Sequence, residues 1–285
     1  HMKTLITALL LCVTSIATNV FAEDRFAKVE IRTEQISENI YVLFGTGGNI
    51  GVLNGPDGIL MIDDQFAPLA DKIRAALDKL GGTTPTYILN THYHGDHTGS
   101  NAVFGQNSII MAHDNVRMRL LAGGTKDSAL PVITFATQAT IYFNNQEAHL
   151  IHMPAGHTDG DAIVYFPNEN VIHLGDHFFK DRFPYVDLQA GGTVNGLIDN
   201  IVNILSRVDS DTKIIPGHGE MATKVDLQRY LNMLTSTRQF IDAELAQGKS
   251  EKSIFAAGLA PKWDSWGEGF INEERWLKTL ISAQK

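Results

Sequence analysis

The sequence contains the ten-residue stretch Asn-Thr-His-Tyr-His-Gly-Asp-His-Thr-Gly at positions 90–99. It follows Tyr87-Ile88-Leu89, an apolar segment that predicts a β-strand. Burying three imidazoles and a carboxylate without partners would cost roughly 2–7 kcal/mol for each group. A bound metal ion offsets that cost, so the stretch predicts a metal site at the end of a strand.

The spacing within this stretch favours two metal ions. His92 and His94 are two residues apart, so on an extended segment they point to the same side and can bind one ion. Asp96 and His97 then turn toward a second ion, which in two-metal sites lies about 3.5–4 Å from the first. We expect Thr98 to cap a following helix that makes the loop rigid.

Three further polar residues lie beside short apolar strands and next to glycines, which leave the backbone free to present a ligand. They are His157 in Pro-Ala-Gly-His-Thr-Asp-Gly, Asp176 in Leu-Gly-Asp and His218 in Pro-Gly-His-Gly. Any one of them is about as consistent with a structural role as with metal binding. Their order and their glycine neighbours together favour a common site.

The predicted elements alternate between hairpins and strand–helix units. Strands are predicted at 40–43, 50–53, 59–62, 87–89, 108–111, 140–143, 149–153, 162–166 and 171–174. Helices are predicted at 67–80, 113–121, 194–208, 224–246 and in two short C-terminal pieces. This α/β (α+β) pattern predicts two sheets covered by outer helices, an αββα sandwich, in a single domain over residues 23–285.

The N-terminus has the features of a secretory signal peptide over residues 1–22. Lys3 precedes the apolar run 5–13, and Val20-Phe21-Ala22 offers a small-residue cleavage site. The run is too short and too interrupted for a membrane anchor, which needs about 20 mostly apolar residues. We expect a secreted or periplasmic protein with no membrane contact after cleavage, and we interpret His1 as a cloning remnant.

Composition excludes some classes of function. The 285 residues carry a formal net charge of -9 and no cluster of Lys and Arg, which argues against a nucleic-acid partner. Cys12 is the only cysteine and lies in the predicted signal segment. The mature chain would therefore have neither a disulfide nor a thiolate, and every metal ligand must be nitrogen or oxygen.

The ordered motifs His-x-His-x-Asp-His, Gly-His-Thr, Gly-Asp and Gly-His-Gly resemble the metallo-β-lactamase superfamily, from the strand at 59–63 to Gly219. The resemblance implies the αββα fold and two zinc ions, with manganese and iron left open by the nitrogen and oxygen ligands. A hydroxide shared by the two ions would be the nucleophile.

The resemblance also implies a role for each ligand. The first ion would be bound by His92, His94 and His157, the second by Asp96, His97 and His218, and Asp176 would bridge the two. Asp96 and Asp176 are thus the candidate catalytic carboxylates, Asp96 also orienting the hydroxide. Asp63 resembles the carboxylate that orients a ligand histidine.

An aspartate at position 176 distinguishes this chain from the zinc β-lactamases, which have cysteine or serine there. It resembles glyoxalase II-like thioesterases, lactonases and phosphodiesterases. We therefore expect a small-molecule hydrolase acting on a lactone, lactam or thioester carbonyl, with weak β-lactamase activity. A phosphodiesterase is the second hypothesis, and a di-iron redox protein or a non-catalytic metal-binding protein is the alternative of another class.

Three residues are candidates for substrate binding. Lys180 would pair with a substrate carboxylate, Asn195 would donate to an oxyanion, and Tyr93 would line the pocket. For Lys180 an ordinary surface position is the competing interpretation, and for Asn195 a place in the first turn of a helix. The sequence contains no indication of oligomeric state.

Overall fold

The first sheet of the computed structural model has seven strands, within the described residues 25–82 and 84–283. Strands β1 to β4 are antiparallel neighbours, whereas β4 to β7 run parallel. In spatial order the strands are β1 (Arg32–Gln35), β2 (Ile40–Phe44), β3 (Ile50–Gly55), β4 (Gly58–Ile62), β5 (Tyr87–Leu89), β6 (Ile109–His113) and β7 (Ile133–Phe135).

The second sheet has five strands in the described part of the chain, in the order β12-β11-β10-β9-β8. Strands β8 to β11 pair antiparallel, and β11 pairs parallel with β12. The strands are β8 (Gln138–Phe143), β9 (Gln146–His152), β10 (Ala162–Phe166), β11 (Val171–His173) and β12 (Lys213–Ile215).

Helices cover the outer face of each sheet. They are α1 (Ala70–Asp78), α2 (Gly95–Thr98), α3 (Asn101–Phe104), α4 (Asp114–Ala122), α5 (Val194–Arg207), α6 (Lys224–Ala246), α7 (Glu251–Ala257) and α8 (Glu273–Ser282). Short 3-10 helices lie at Ala67–Leu69, Asp127–Ala129, Gly175–His177, Leu188–Ala190 and Pro261–Glu268. None of the described helices has the length and hydropathy needed to cross a membrane.

The two-residue period of the strands separates the core into layers. On β10, Val164 packs between the two sheets, whereas its neighbour Ile163 packs against the outer helices α5 and α6. On β2, Val42 likewise faces the second sheet and Leu43 faces α1. Apolar side chains on both faces of each sheet therefore build the predicted αββα sandwich, which is confirmed.

Some local predictions differ from the structure. The helix predicted at 67–80 is a 3-10 turn at Ala67–Leu69 followed by α1, and strands β1 and β7 were not predicted. The prediction for Thr98 is wrong: it ends α2 rather than capping a new helix, and its hydroxyl donates to the carbonyls of Tyr93 and His94. The predicted signal peptide at 1–22 lies outside the described residues.

Candidate metal centre

The predicted ligands meet at one edge of the sandwich. His92 and His94 follow the end of β5, Asp176 follows β11, and His218 follows β12. His157 precedes β10, which pairs antiparallel with β11, so the start of β10 lies beside the end of β11. Loops at this edge bring together residues from positions 92 to 218, and the strands hold those loops in place.

A first cluster consists of His92, His94, His157 and Asp176, whose candidate ligand atoms lie within 4.8 Å of one another. His94 Nδ1 and His157 Nε2 are 2.8 Å apart. Asp176 Oδ2 lies 3.7 Å from His92 Nε2 and 3.5 Å from His157 Nε2. This is the set of three nitrogens and one oxygen expected for the first ion.

A second cluster consists of Asp96, His97 and His218, again with ligand atoms within 4.8 Å. The other oxygen of Asp176, Oδ1, faces this cluster at 3.1 Å from His97 Nε2 and 3.3 Å from His218 Nε2. Asp96 Oδ2 lies 3.6 and 3.4 Å from the same two nitrogens. Asp176 therefore presents one oxygen to each cluster.

Hydrogen bonds behind the first cluster fix two of its imidazole tautomers. His94 Nε2 lies 3.0 Å from Asp187 Oδ2, and His157 Nδ1 lies 2.6 Å from the carbonyl oxygen of Tyr185. An ionised carboxylate and a carbonyl oxygen carry no proton and can only accept. Each imidazole therefore donates its proton to the acceptor behind it, away from the cluster. The nitrogens that face the cluster then carry lone pairs, which is the form in which histidine binds a metal.

Asp63 holds two more imidazoles from behind. It is fully buried, and its Oδ2 lies 2.7 Å from His97 Nδ1 and accepts from the Thr91 hydroxyl at 2.7 Å. The Thr91 oxygen is in turn 3.0 Å from His92 Nδ1. Because the hydroxyl proton goes to Asp63, Thr91 accepts from His92, and the Nε2 atoms of both histidines point to the centre.

Buried polar atoms without hydrogen bonds provide a test of the metal interpretation. Nine buried side-chain atoms of the described residues lack a hydrogen-bond partner, and three of them, His92 Nε2, His97 Nε2 and Asp176 Oδ1, belong to candidate ligands. Such atoms are rare in folded proteins and destabilise them by about 1–3 kcal/mol each. All three point into the two clusters, so the donor set fits metal ions bound by nitrogen and oxygen.

The ionisation of the ligands differs between the clusters. Burial lowers the pKa of His157 to about 4, and burial together with His97 holds the pKa of His92 well below its ordinary value. In the second cluster burial is outweighed, and the charges of Asp176 and Asp96 raise the pKa of His218 to about 9. Metal uptake there must release a proton.

Two glycines beside the clusters are required for space rather than for backbone freedom. A Cβ on Gly217 would lie 2.1 Å from Asp176 Oδ1, and one on Gly48 would lie 2.1 Å from His97 Cε1. Any side chain at these positions would displace a candidate ligand. The glycine next to His218 therefore permits the close approach of the β11 and β12 loops.

The three candidate substrate residues do not line the cavity above the clusters. Tyr93 donates its hydroxyl to Asp187 Oδ2 at 2.6 Å. Lys180 donates to the Met221 carbonyl at 2.6 Å and lies 3.7 Å from Asp226. Tyr93 therefore supports the residue behind His94, while Lys180 has partners within the protein.

Asn195, predicted to donate to an oxyanion, lies in the first turn of α5. Its Oδ1 accepts a hydrogen bond of 2.9 Å from Arg238 of α6. The contact joins two outer helices. The competing interpretation from the sequence is that Asn195 lies in the first turn of a helix, and that is its position in the structure.

The cavity above the clusters has a volume of about 580 Å³. His94, Asp96, Asp176 and His218 form its floor. Around them are Arg25, Thr46, Gly47, Phe66, Gly95, Phe179, Arg182, Phe183, Tyr185, Phe270 and Ile271. A cavity of this size accommodates a small organic molecule.

Sequence reasoning missed Asp187, Tyr185 and Arg182. They lie in the segment between Asp176 and α5, which contains no regular strand and has no repeating apolar pattern. Their roles depend on which residues the fold brings next to His94, His157 and the cavity. Sequence reasoning also missed the hydrogen bond from Thr91 to Asp63, although Thr91 lies inside the histidine-rich stretch.

Comparison with known proteins agrees with this geometry. Residues 43–218 match the family model of the Metallo-beta-lactamase superfamily, which covers more than half of the chain. The chain therefore belongs to the metallo-β-lactamase superfamily, which includes metal-dependent hydrolases. The match begins in β2 and ends at His218, so it contains all seven predicted ligands.

Relatives within the superfamily have different activities. A metallo-beta-lactamase type 2 of Bacillus sp. (strain 170) is 23% identical over 250 residues, 79% of this chain and 96% of that protein. A hydroxyacylglutathione hydrolase of Pelagibacter ubique is 30% identical over 138 residues, 46% of this chain and 51% of that protein. A metallo-beta-lactamase structure from Pontibacter korlensis superimposes with a TM-score of 0.63 at 18% identity, covering 72% and 99% of the two chains.

Proposed function

We propose that this protein is a dinuclear zinc hydrolase that attacks the carbonyl group of a lactone, lactam or thioester and has weak β-lactamase activity. The position of Asp176 carries the proposal, because its two oxygens face two separate groups of ligands. A carboxylate in that position is suited to bridge two cations. The ligands of both clusters are nitrogen and oxygen atoms, which suit zinc as well as manganese and iron, and the family resemblance favours zinc.

Seven residues would hold the ions: His92, His94, His157 and Asp176 the first, and Asp96, His97, His218 and Asp176 the second. When bound, such a pair supplies an activated water and polarises the carbonyl oxygen of the substrate. The protein contributes orientation, through the hydrogen bonds that Asp63, Asp187 and Tyr185 accept from the ligand histidines.

Asp96 is the carboxylate best placed to handle the proton of the attacking water. It lines the cavity, and its side chain is 28% exposed, whereas that of Asp176 is only 5% exposed. Burial opposes ionisation of Asp96, yet the neighbouring His97 and His218 keep its pKa below the ordinary value. An ionised Asp96 can accept a hydrogen bond from water and orient it toward the substrate.

The relatives support a carbonyl substrate without identifying it. One is named as a β-lactamase, and another as a hydrolase of hydroxyacylglutathione, a thioester. The aspartate at position 176, in place of cysteine or serine, favours the second kind of chemistry over dedicated β-lactam hydrolysis. β-Lactam turnover is therefore proposed as a weak activity.

A substrate panel on zinc-loaded protein tests the proposal. The panel contains a β-lactam, a lactone, a thioester and a phosphodiester, and metal content is measured both on the protein as purified and after zinc loading. Two zinc ions per chain and fastest turnover of a carbonyl substrate would support the proposal. Turnover of the phosphodiester alone, or bound iron without hydrolysis, would overturn it.

We also propose that residues 1–22 direct export to the periplasm or medium. The apolar run 5–13 after Lys3 and the small-residue site at Ala22 support this. N-terminal sequencing of the protein from a secreting host should begin at Glu23. An uncleaved N-terminus in the cytoplasmic fraction would contradict the proposal.

A further inference from the structure

Part of the cavity wall comes from segments outside the family match. The match covers residues 43–218, whereas Phe270 and Ile271 lie before α8 and Arg25 lies ahead of β1. Arg182 lies inside the matched range but in the irregular segment after Asp176. The cavity wall therefore combines residues inside the matched range with residues from the two segments outside it.

Five of the eleven residues that surround the ligands in the cavity are aromatic. Phe66, Phe179, Phe183 and Tyr185 line it together with Phe270. Phe270 is 72% exposed although it is a large apolar residue, and its ring meets that of Tyr185 edge-on with centroids 6.2 Å apart. An aromatic side chain that lies over a cavity and keeps most of its surface in water can bury that surface against an apolar ligand.

Most arginines of this acidic chain form hydrogen bonds or ion pairs through their side chains, and two do not. Within residues 25–82 and 84–283, Arg25 and Arg182 are the arginines whose side chains make no hydrogen bond or ion pair with a described residue, and both line the cavity. The Arg25 guanidinium lies over the rings of Phe26 and Phe66. The other arginines all have such contacts: Arg32, Arg74, Arg117, Arg119, Arg207, Arg229, Arg238 and Arg275.

Arg182 is the better placed of the two cations. It is partly buried, and its Cδ would lie 3.3 Å from a Cβ on Gly269, so the glycine leaves room for its side chain beside the cavity. A guanidinium in that position has all its donors available for a ligand, and it matches the two oxygens of a carboxylate. The net charge of -9 makes an unpaired cation at this position more notable.

We propose that the substrate is an amphipathic carboxylate, in which an apolar chain or ring links the scissile carbonyl to a carboxylate group. Arg182 binds the carboxylate, and the aromatic wall with Phe270 packs against the apolar part. This proposal rests on the proposed carbonyl hydrolase. The reaction is hydrolysis: water forms a bond to the carbonyl carbon, the bond to the leaving oxygen, sulfur or nitrogen breaks, and the leaving group takes a proton.

Three 4-nitrophenyl esters on zinc-loaded protein test the two contacts. The acetate ester lacks both groups, the octanoate ester has only the apolar chain, and the suberic acid monoester has the chain and a terminal carboxylate. We expect kcat/KM to rise in that order. In Arg182→Gln, KM for the suberate ester should rise by about tenfold, the scale of a lost charged hydrogen bond, with kcat and the octanoate ester changed less than about twofold.

Phe270→Ala should affect the two long esters together. We expect KM to rise roughly three- to tenfold for both, with the acetate ester unchanged. Tyr142→Ala on β8 is the matched control, since Tyr142 is also an exposed aromatic, at 76% exposure. Arg207→Gln on α5 is the control for the loss of an arginine, and Arg182→Lys should recover part of the suberate preference.

Equal kcat/KM for octanoate and suberate esters in the unsubstituted protein, or equal losses on both in Arg182→Gln, would overturn the inference and leave the hydrolase intact. A protein that hydrolyses none of the esters would instead count against the proposed function. Calorimetric titration with octanoate and octanamide then tests the inference without turnover. Octanoate should bind about tenfold more tightly, and Arg182→Gln should remove that preference.

Discussion

His94 Nδ1 lies 2.8 Å from His157 Nε2, with the other nitrogen of each imidazole held by an acceptor behind it. Two neutral imidazoles in this arrangement point lone pairs at each other, which is unfavourable unless a cation or a proton lies between them. Asp176 Oδ2 is 3.5 Å from the same His157 nitrogen. The geometry of these atoms fits a bound metal ion.

His94→Ala removes one of the two facing nitrogens. We expect loss of about one equivalent of metal per chain and loss of carbonyl hydrolysis, because the remaining ligands cannot hold the first ion in place. Metal analysis of purified protein and turnover of the best panel substrate measure both. His149→Ala is the control, since His149 pairs with Glu147 on β9 and belongs to neither cluster. Unchanged turnover in His94→Ala would refute the site.

Asp187→Asn tests the hydrogen bond behind His94. In the variant, Oδ1 can still accept from the Ala190 amide, while an NH2 group replaces the Oδ2 atom that accepts from Tyr93 and His94. The amide donates to His94 Nε2, which moves the imidazole proton to Nδ1 and blocks the metal-binding atom. We expect metal affinity or activity to fall by about 10- to 100-fold, the usual loss when a residue that hydrogen-bonds to a metal ligand is replaced.

A chelator competition assay measures the affinity of Asp187→Asn. Asp159→Asn is the matched control, because Asp159 is also a loop aspartate in this region but pairs with Arg119. We expect the control to bind metal as the unsubstituted protein does. If the two variants lost affinity equally, the effect would be a general one on the loops and the specific role of Asp187 would be wrong.

The sequence predicted the fold and the ligands because both depend on local patterns. Apolar runs bounded by turn residues define β2, β3 and β4, and the order of His, Asp and Gly residues defines the ligand loops. The polar strand β1 (Arg32–Gln35) has no apolar alternation, and the three residues of β7 are too few to show one. Such edge strands are formed through pairing with neighbours rather than through their own sequence.

The residues around the ligands could not be predicted for a different reason. Asp187 contacts Tyr93 and His94, which are distant from it in sequence, and nothing local distinguishes Asp187 or the cavity-lining Arg182 from Lys180. The residue type of Thr98 predicts a helix cap, which the structure contradicts. The helix had already begun at Gly95, because His94 is extended and Asp96 must turn toward the second cluster.

Metal removal should destabilise the folded chain. A ligand present at 1,000 times its dissociation constant stabilises the native state by about 4.1 kcal/mol, and here the ions would also satisfy the buried His92, His97 and Asp176 atoms. We expect a chelator to lower Tm by roughly 8 °C or more, since about 1 kcal/mol corresponds to some 2–4 °C in domains of comparable size. Calorimetry with and without chelator measures this, and equal Tm values would contradict metal binding.

His152 should make the protein less stable in mild acid. Its imidazole stacks on His113 with centroids 3.7 Å apart, and its Nδ1 lies 2.8 Å from the Asp161 carbonyl oxygen. Burial lowers the pKa of His152 from 6.5, and His113 adds to the lowering, against the opposing effects of that carbonyl and of Asp159. The unfolded chain therefore binds the proton more readily than the folded one.

The stability that the protein has while His152 is neutral is present above about pH 6.5. It is lost as the pH falls through the lower pKa that His152 has in the folded state. His152→Asn can keep a donor for the Asp161 carbonyl but does not titrate. We expect urea unfolding midpoints, measured with chelator present from pH 7.5 to pH 5, to fall less steeply in the variant than in the unsubstituted protein. Parallel curves would mean that His152 has the same pKa in both states, and the stacked pair would then have no part in the acid sensitivity of the fold.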